Sequence, residues 1–172
     1  TWKSMPNSGF KLSPDGQWMA YVLTGIETDG ELILQKVADP SSKKSFQIGN
    51  TSFASFEFSD NSQWLAFKEF PKFSEKQANE KAKGKPLKEK LHLIQLASGD
   101  KKTFEGISGF NFTGEAATHL LLTLPKEGSG DAKGSDLLIH HLATGKSQNL
   151  GNIREHAVNK AGTHLAYAVD AA

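Results

Sequence analysis

The chain has 172 residues, of which 37% are apolar and 23% charged, enough apolar material for a sizeable core in one domain or in part of a larger one. Its formal net charge is +1 and Arg154 is its only arginine, so neither a global field nor the bidentate forks that read phosphates and bases argue for nucleic acid. There is no cysteine, which excludes disulfides, thiolate metal sites and a cysteine nucleophile, and no run reaches the roughly 20 apolar residues of a membrane helix.

The chain opens on Thr1 without a signal-peptide pattern, which reads as a processed or cut N-terminus. The first structured stretch is Phe10 to Val22, FKLSPDGQWMAYV. Phe10 and Leu12 alternate with polar neighbours, the period of a strand. Ser13-Pro14-Asp15-Gly16 is turn chemistry: Pro14 presets φ and Gly16 tolerates a positive one. Trp18 to Leu23 follows as a second strand, apolar on both sides and therefore expected to be buried on both faces. A turn is predicted around Thr28-Asp29-Gly30, then a strand from Leu32 to Val37. A loop at Asp39-Pro40-Ser41-Ser42 leads to a fourth strand near Ser45 to Ile48.

The pattern then returns. Phe56-Glu57-Phe58, a turn at Ser59 to Ser62, Trp64 to Phe67, Leu91 to Leu96 and Lys102 to Phe104 make a second set of four strands. Phe110-Asn111-Phe112, a turn at Thr113-Gly114-Glu115, His119 to Leu124, Leu137 to Leu142 and Ser147 to Leu150 make a third. Ala97-Ser98-Gly99-Asp100 and Ala143-Thr144-Gly145-Lys146 are matching hairpins in the two sets. A fourth repeat starts with Ala157-Val158-Asn159, turns at Lys160-Ala161-Gly162 and runs from His164 to Val169. Trp18, Trp64, His119 and His164 are equivalent positions, at spacings of 46, 55 and 45 residues. Four strands per unit at that period is the signature of propeller blades. A β-sandwich has similar strand spacing but gives no reason for the same turn and the same following strand to recur. Ala20, Ala66 and Ala166 mark expected close approaches between sheets, with Leu121 departing from the pattern.

The predicted fold is therefore all-β: a partial β-propeller of three complete four-stranded antiparallel blades plus the first two strands of a fourth. Residues 1–172 form one incomplete propeller domain. Blade 1 spans about 9–49, blade 2 about 53–106, blade 3 about 109–151, and blade 4 begins at about 155–170. Closed propellers use about 4–8 blades, so the chain is expected to be a fragment, or to self-associate through its open edges.

The second repeat is lengthened by residues 71–90, PKFSEKQANEKAKGKPLKEK, with seven lysines and three glutamates. Ser74 and Gln77 have capping-box spacing, and Gly84 and Pro86 would end a helix. Its apolar stripe is only Ala78 and Ala82, so a helix there needs a partner. It is either a solvated loop or a recognition and gating element. Up-and-down blade topology puts it on one rim with Gly49 to Ala54 and with Pro125 to Ser135. Long loops on a rigid scaffold carry function, so that rim is where a partner or substrate surface is expected.

No residue stands out as catalytic, cofactor-binding or metal-binding, and no cofactor is expected. Gly106-Ile107-Ser108-Gly109 lacks nucleophile-elbow spacing, and Gly128-Ser129-Gly130 continues into no phosphate-binding loop. His140 and His141, adjacent on a strand, point to opposite faces. His119 and His164 take the packing position of Trp18. No carboxylates have calcium-loop spacing. Asn50 and Asn111 sit in glycosylation sequons that carry little weight, since Asn111 falls within a predicted strand.

The units FKLSPDGQWMAYV, FEFSDNSQWLAFK and VNKAGTHLAYAV resemble the propeller repeats of TolB-like proteins and of the prolyl oligopeptidase family. An opening TWKSM, a DGELILQKV strand, the basic insert after WLAFKEFPK, and GSDLLIHHLATGK together resemble the N-terminal propeller of large bacterial serine peptidases of that family. This resemblance implies a parent with a Ser-Asp-His triad in a C-terminal hydrolase domain. It also implies a propeller that shapes access of short peptides, and a periplasmic or secreted location. It implies no site residue here, because no hydrolase motif is present. The expected partners are the hydrolase domain of the parent and short peptides, with no nucleic acid and no membrane. A non-enzymatic TolB-like interaction scaffold is the alternative.

Overall fold

The computed structural model describes residues 2–7, 9–125 and 134–170, whose strands are taken up into three antiparallel sheets. The first sheet has strands β1 (Phe10–Leu12), β2 (Trp18–Gly25), β3 (Thr28–Lys36) and β4 (Asp39–Gly49), in the order β1-β2-β3-β4. The second has β5 (Phe56–Phe58), β6 (Trp64–Glu69), β7 (Lys90–Gln95) and β8 (Lys101–Glu105), in the order β5-β6-β7-β8. The third holds β9 (Gly109–Phe112), β10 (His119–Leu124), β11 (Ser135–His141), β12 (Ser147–Val158) and β13 (Leu165–Val169), in the order β13-β12-β11-β10-β9. One helix, α1 (Phe73–Ala82), stands between β6 and β7. The chain divides into two compact units, Thr1–Glu105 and Gly106–Ala172.

Two turns fall earlier than the sequence suggests. Gly25 pairs with Thr28, so the β2–β3 turn is at Ile26 and Glu27, and Thr28, Asp29 and Gly30 already belong to β3. Lys36 pairs with Asp39, so β4 begins there rather than near Ser45. Strand pairing overrides the turn preference of Asp, Gly and Pro at these places. Pro40 is tolerated because β4 is an edge strand, where a missing N–H costs no ladder bond. The third and fourth repeats also join differently. The strand expected at Ser147 and the one expected at Ala157 are one strand, β12, interrupted where Asn152 takes φ +60°. Its first half pairs with β11 and its second half with β13, which makes five strands in one sheet.

The inner turns explain why the repeat recurs. In the first, Ser13 N–H donates to the Trp18 carbonyl at 2.9 Å, and Trp18 N–H returns to the Ser13 hydroxyl at 2.9 Å. In the second, Ser59 and Trp64 do the same at 3.0 and 2.9 Å. Thr113 and His119 repeat it at 3.0 Å in both directions. In the fourth, the Asn159 side-chain oxygen accepts from His164 N–H at 2.8 Å. Asp15 and Asn61 bind the intervening N–H groups of Gln17 and Gln63. Gly16, Ser62, Ala117 and Gly162 all take positive φ at the bend. The polar residues that begin and fill each turn satisfy backbone donors that the tight bend leaves unpaired.

Neighbouring turns also touch. Asp15 N–H donates to the Ser62 hydroxyl at 3.0 Å in the first unit. In the second, Glu115 N–H donates to the Lys160 carbonyl at 3.0 Å, and a Cβ on Gly114 would lie 2.3 Å from Gly162 N. The two predicted hairpins match: Gly99 and Gly145 have φ +80° and +70° and donate to the carbonyls of Gln95 and His141.

The core of the first unit runs between its two sheets. Ala20, Val22, Leu32, Leu34 and Ile48 meet Phe56, Phe58, Leu65, Phe67, Ile94 and Leu96. Fully burying such a large apolar side chain contributes about 1.5–3 kcal/mol. The other face of the first sheet is open along β1, where Phe10 is 47% and Leu12 52% exposed beside half-buried Tyr21 and Met19, while Ile33 and Gln35 on β3 are buried on that same face. The expectation that β2 is buried on both faces therefore holds for one face only. In the second unit Leu121 packs with Leu137 and Ile153, filling the place where the other repeats have alanine. Ala20 and Ala66 are fully buried, whereas Ala166 is exposed on β13.

Candidate functional site

The basic insert folds as helix α1, but not with the expected cap. Its N-cap is Lys72, and Lys72 N–H donates to the Glu75 carboxylate at 2.9 Å, so Glu75 takes the role predicted for Gln77. Phe73 N–H donates to the Asp29 carboxylate at 2.8 Å. Asp29 thus closes the helix start from β3, far away in sequence. That side chain offers an anion where the helix dipole is positive. Lys83 ends the helix in the left-handed region, and Gly84 N–H bonds back to Asn79. No helix residue is buried. Only Phe73, Lys76 and Asn79 are partly covered, on one face at helical spacing.

The rim expected from topology forms in the first unit, between α1 and the end of β4. Gly49 has φ +66°, and a Cβ there would lie 1.8 Å from the Phe70 carbonyl oxygen. Phe70 N–H donates to Ile48 at 2.9 Å, and Asn50 N–H to Pro71 at 3.0 Å. The Asn50 amide donates to the carbonyls of Ile26 and Thr28 at 3.1 and 3.0 Å. Its sequon nitrogen is thereby committed to the fold. The Lys76 ammonium donates to the Asn50 carbonyl at 2.5 Å. The remaining rim segment expected from the sequence, Pro125 to Ser135 with Gly128-Ser129-Gly130, lies for the most part outside the described residues.

Below this frame lies a groove of two lobes, of about 370 Å³ and about 280 Å³, that share Phe70, Lys76 and Glu89. Phe53 and Phe70 meet edge to face at 5.1 Å. Glu89 is paired with Lys68 at 2.7 Å. Two of the segments that the sequence puts on one rim line this groove, but the sequence did not single out Phe53, Phe70, Lys76 or Glu89. Those residues come together only through the non-local anchors at Gly49, Asn50 and Asp29.

The histidines are placed by packing. His140 is buried and its Nδ1 meets the Ser147 hydroxyl at 2.8 Å. His141 lies on the opposite face, edge-on to His119 at 4.7 Å. His92 is buried between three strands. Its Nε2 meets the Glu69 carboxylate at 2.5 Å and its Nδ1 the Thr103 hydroxyl at 2.9 Å. A carboxylate only accepts, so Nε2 carries the proton and Nδ1 accepts from Thr103. Burial holds the His92 imidazole below its ordinary value, outweighing the Glu69 hydrogen bond that pulls it upward. Neither groove lobe reaches this chain of bonds, which ties β6, β7 and β8 together. Among the described residues, no group of three His, Asp or Glu could hold a metal ion, and no helix is long and apolar enough to cross a membrane.

No family model and no curated protein matches the chain. Solved structures do. The chain is similar to the β-propeller domain of the trilobed protease from Pyrococcus furiosus, with TM-score 0.55 and 15% identity over 92% of this chain and 46% of that one. It is also similar to an acylaminoacyl peptidase solved with Z-Gly-Gly-Phe-chloromethyl ketone, with TM-score 0.51 and 15% identity over 89% of this chain and 26% of that one. The fold is that of part of a β-propeller. The chain spans less than half the length of either protein.

Proposed function

We propose that this chain is the non-catalytic N-terminal propeller portion of a bacterial serine peptidase of the prolyl oligopeptidase family. The observation that carries this reading is the recurrence of antiparallel sheets of four or five strands with a related inner turn, in a fold also found in the propellers of peptidases. The TolB-like repeat units and the order of the segments around the basic insert support the finer assignment. The propeller shapes the access of short peptides to a hydrolase domain outside this chain, and the parent works in the periplasm or outside the cell. The open face with Phe10 and Leu12 is where a further blade of the parent packs, or failing that a second copy.

The test compares this chain with the protein encoded by its complete reading frame. Short chromogenic peptides should be cleaved by the complete protein and left intact by residues 1–172. A complete protein that closes its ring and carries no hydrolase domain would instead establish the non-enzymatic scaffold. Cell fractionation checks the location. Light scattering that finds residues 1–172 as a defined oligomer, and as a monomer once Phe10 and Leu12 are replaced by serine, would assign the open face to a second copy.

A further inference from the structure

The larger lobe of the rim groove is a second feature with its own chemistry, complete within residues 25–89 and independent of any hydrolase domain. It is lined by Ile26, Ser52, Phe53, Phe70, Lys76 and Glu89, together with Gly25, Asn50 and Thr51. Its volume of about 370 Å³ lies at the small end of the range for small-molecule pockets. Its apolar surface is the edge-to-face pair of Phe53 and Phe70, with Ile26 exposed at its mouth.

The charges are unequal in a way that selects a ligand. Glu89 is already neutralised by Lys68 at 2.7 Å. No carboxylate pairs with Lys76 among the described residues; its ammonium is held only by the oxygens of Asn50, at 2.5 and 3.4 Å. A carbonyl fixes the position of an ammonium without cancelling its charge, and an ammonium has three protons to donate. Ser52 is exposed beside it, and its hydroxyl has no partner among the described residues. By contrast, the Thr51 hydroxyl is committed to the Phe53 backbone at 3.0 and 3.2 Å. One point charge and one hydroxyl, without an arginine, suit a single carboxylate better than a phosphate. The frame is braced by contacts that need no ligand, because Gly49, Asn50 and Asp29 tie β4, β3 and α1 together. Preorganisation of this kind lowers the cost of binding.

We propose that this lobe binds an apolar residue bearing a free carboxylate, the C-terminal residue of a peptide. The carboxylate meets Lys76 and Ser52, and the apolar side chain lies against Phe53 and Phe70. The smaller lobe, which holds Glu80 and Leu87, runs on from it and gives the preceding residues somewhere to lie.

The probe is N-acetyl-phenylalanine, compared with N-acetyl-phenylalaninamide, titrated into the isotope-labelled chain and followed by amide NMR shifts. The acid should shift Ile26, Ser52, Phe53 and Lys76 saturably, with a Kd on the order of 1 mM. The amide should bind at least about tenfold more weakly, one unpaired charge interaction being worth that much. Lys76→Gln should bring the acid down to the level of the amide, whereas Phe53→Ala should weaken both alike. Equal binding of acid and amide by the unmodified chain would overturn the proposal. So would shifts centred elsewhere, or no saturation up to roughly 20 mM. A peptidase parent could fail to exist and this site would still be expected to bind.

Discussion

Ser59 and Lys76 lie in the same unit and are held by opposite means. Ser59 is wholly buried, its hydroxyl donates to Asn61 and accepts from Trp64; the Ser13 turn repeats this arrangement, and Thr113 and Asn159 accept the corresponding N–H in the other two turns. Lys76 sits on a helix with no buried residue, anchored by contacts that occur once among the described residues. The turn belongs to the scaffold and is specified by local sequence. The rim is an addition, specified by what three distant segments happen to offer one another. Damage to the first should spread through its sheet, and damage to the second should remain at the rim.

The largest expected effect lies in the core that the turns position. Phe67→Ala, at a side chain 1% exposed and packed on Phe46 and His92, should cost about 3–5 kcal/mol in urea unfolding. Next comes Ser59→Ala, which takes from the part-buried Trp64 N–H its acceptor and empties the wholly buried Ser59 position. It should cost about 1–3 kcal/mol. Asn159→Ala, at the exposed fourth turn, should cost no more than about 1 kcal/mol. Equal losses at these two sites would break the link between burial and the turn's worth.

A pH series tests the buried His92. Its folded pKa lies below the ordinary 6.5, so the unfolded chain takes up the proton first as pH falls. The stability that comes from keeping His92 neutral is complete above that value and declines as pH drops through and below it. His92→Gln should flatten this part of the urea midpoint profile. An unchanged profile would remove His92 from the clamp across β6, β7 and β8.

The smallest effects separate the two helix caps. Asp29→Ala should fray the start of α1 by about 1 kcal/mol, seen as faster amide exchange at Phe73 with global stability little changed. Ser74→Ala should stay within about 0.5 kcal/mol, because Ser74 caps nothing. If the order were reversed, the helix would be specified locally after all.

Those two caps also show what could be read in advance. Strand alternation, the recurring turn and the Gly99 and Gly145 hairpins are local properties, and all were legible. The Asp29 cap was not, because Asp29 looked like a turn former and only pairing places it in β3 beside Phe73. The groove was legible as a location, from the up-and-down order of the strands. Its residues were not, since nothing local links Phe53 to Phe70 or Lys76 to Asn50. The continuous β12 was missed for a similar reason: Asn152 bends the strand without ending it.

The contacts between neighbouring turns limit how such chains can be recombined. The first pair is joined through a side chain, Ser62, and the third and fourth through bare backbone at Gly114 and Gly162. The units look like copies, yet each turn is fitted to the particular neighbour it touches. Moving the fourth turn behind the first would lose the hydroxyl that Asp15 requires. Moving the second behind the third would drive a serine side chain into the space that Gly162 leaves open. The repeats are therefore not interchangeable parts.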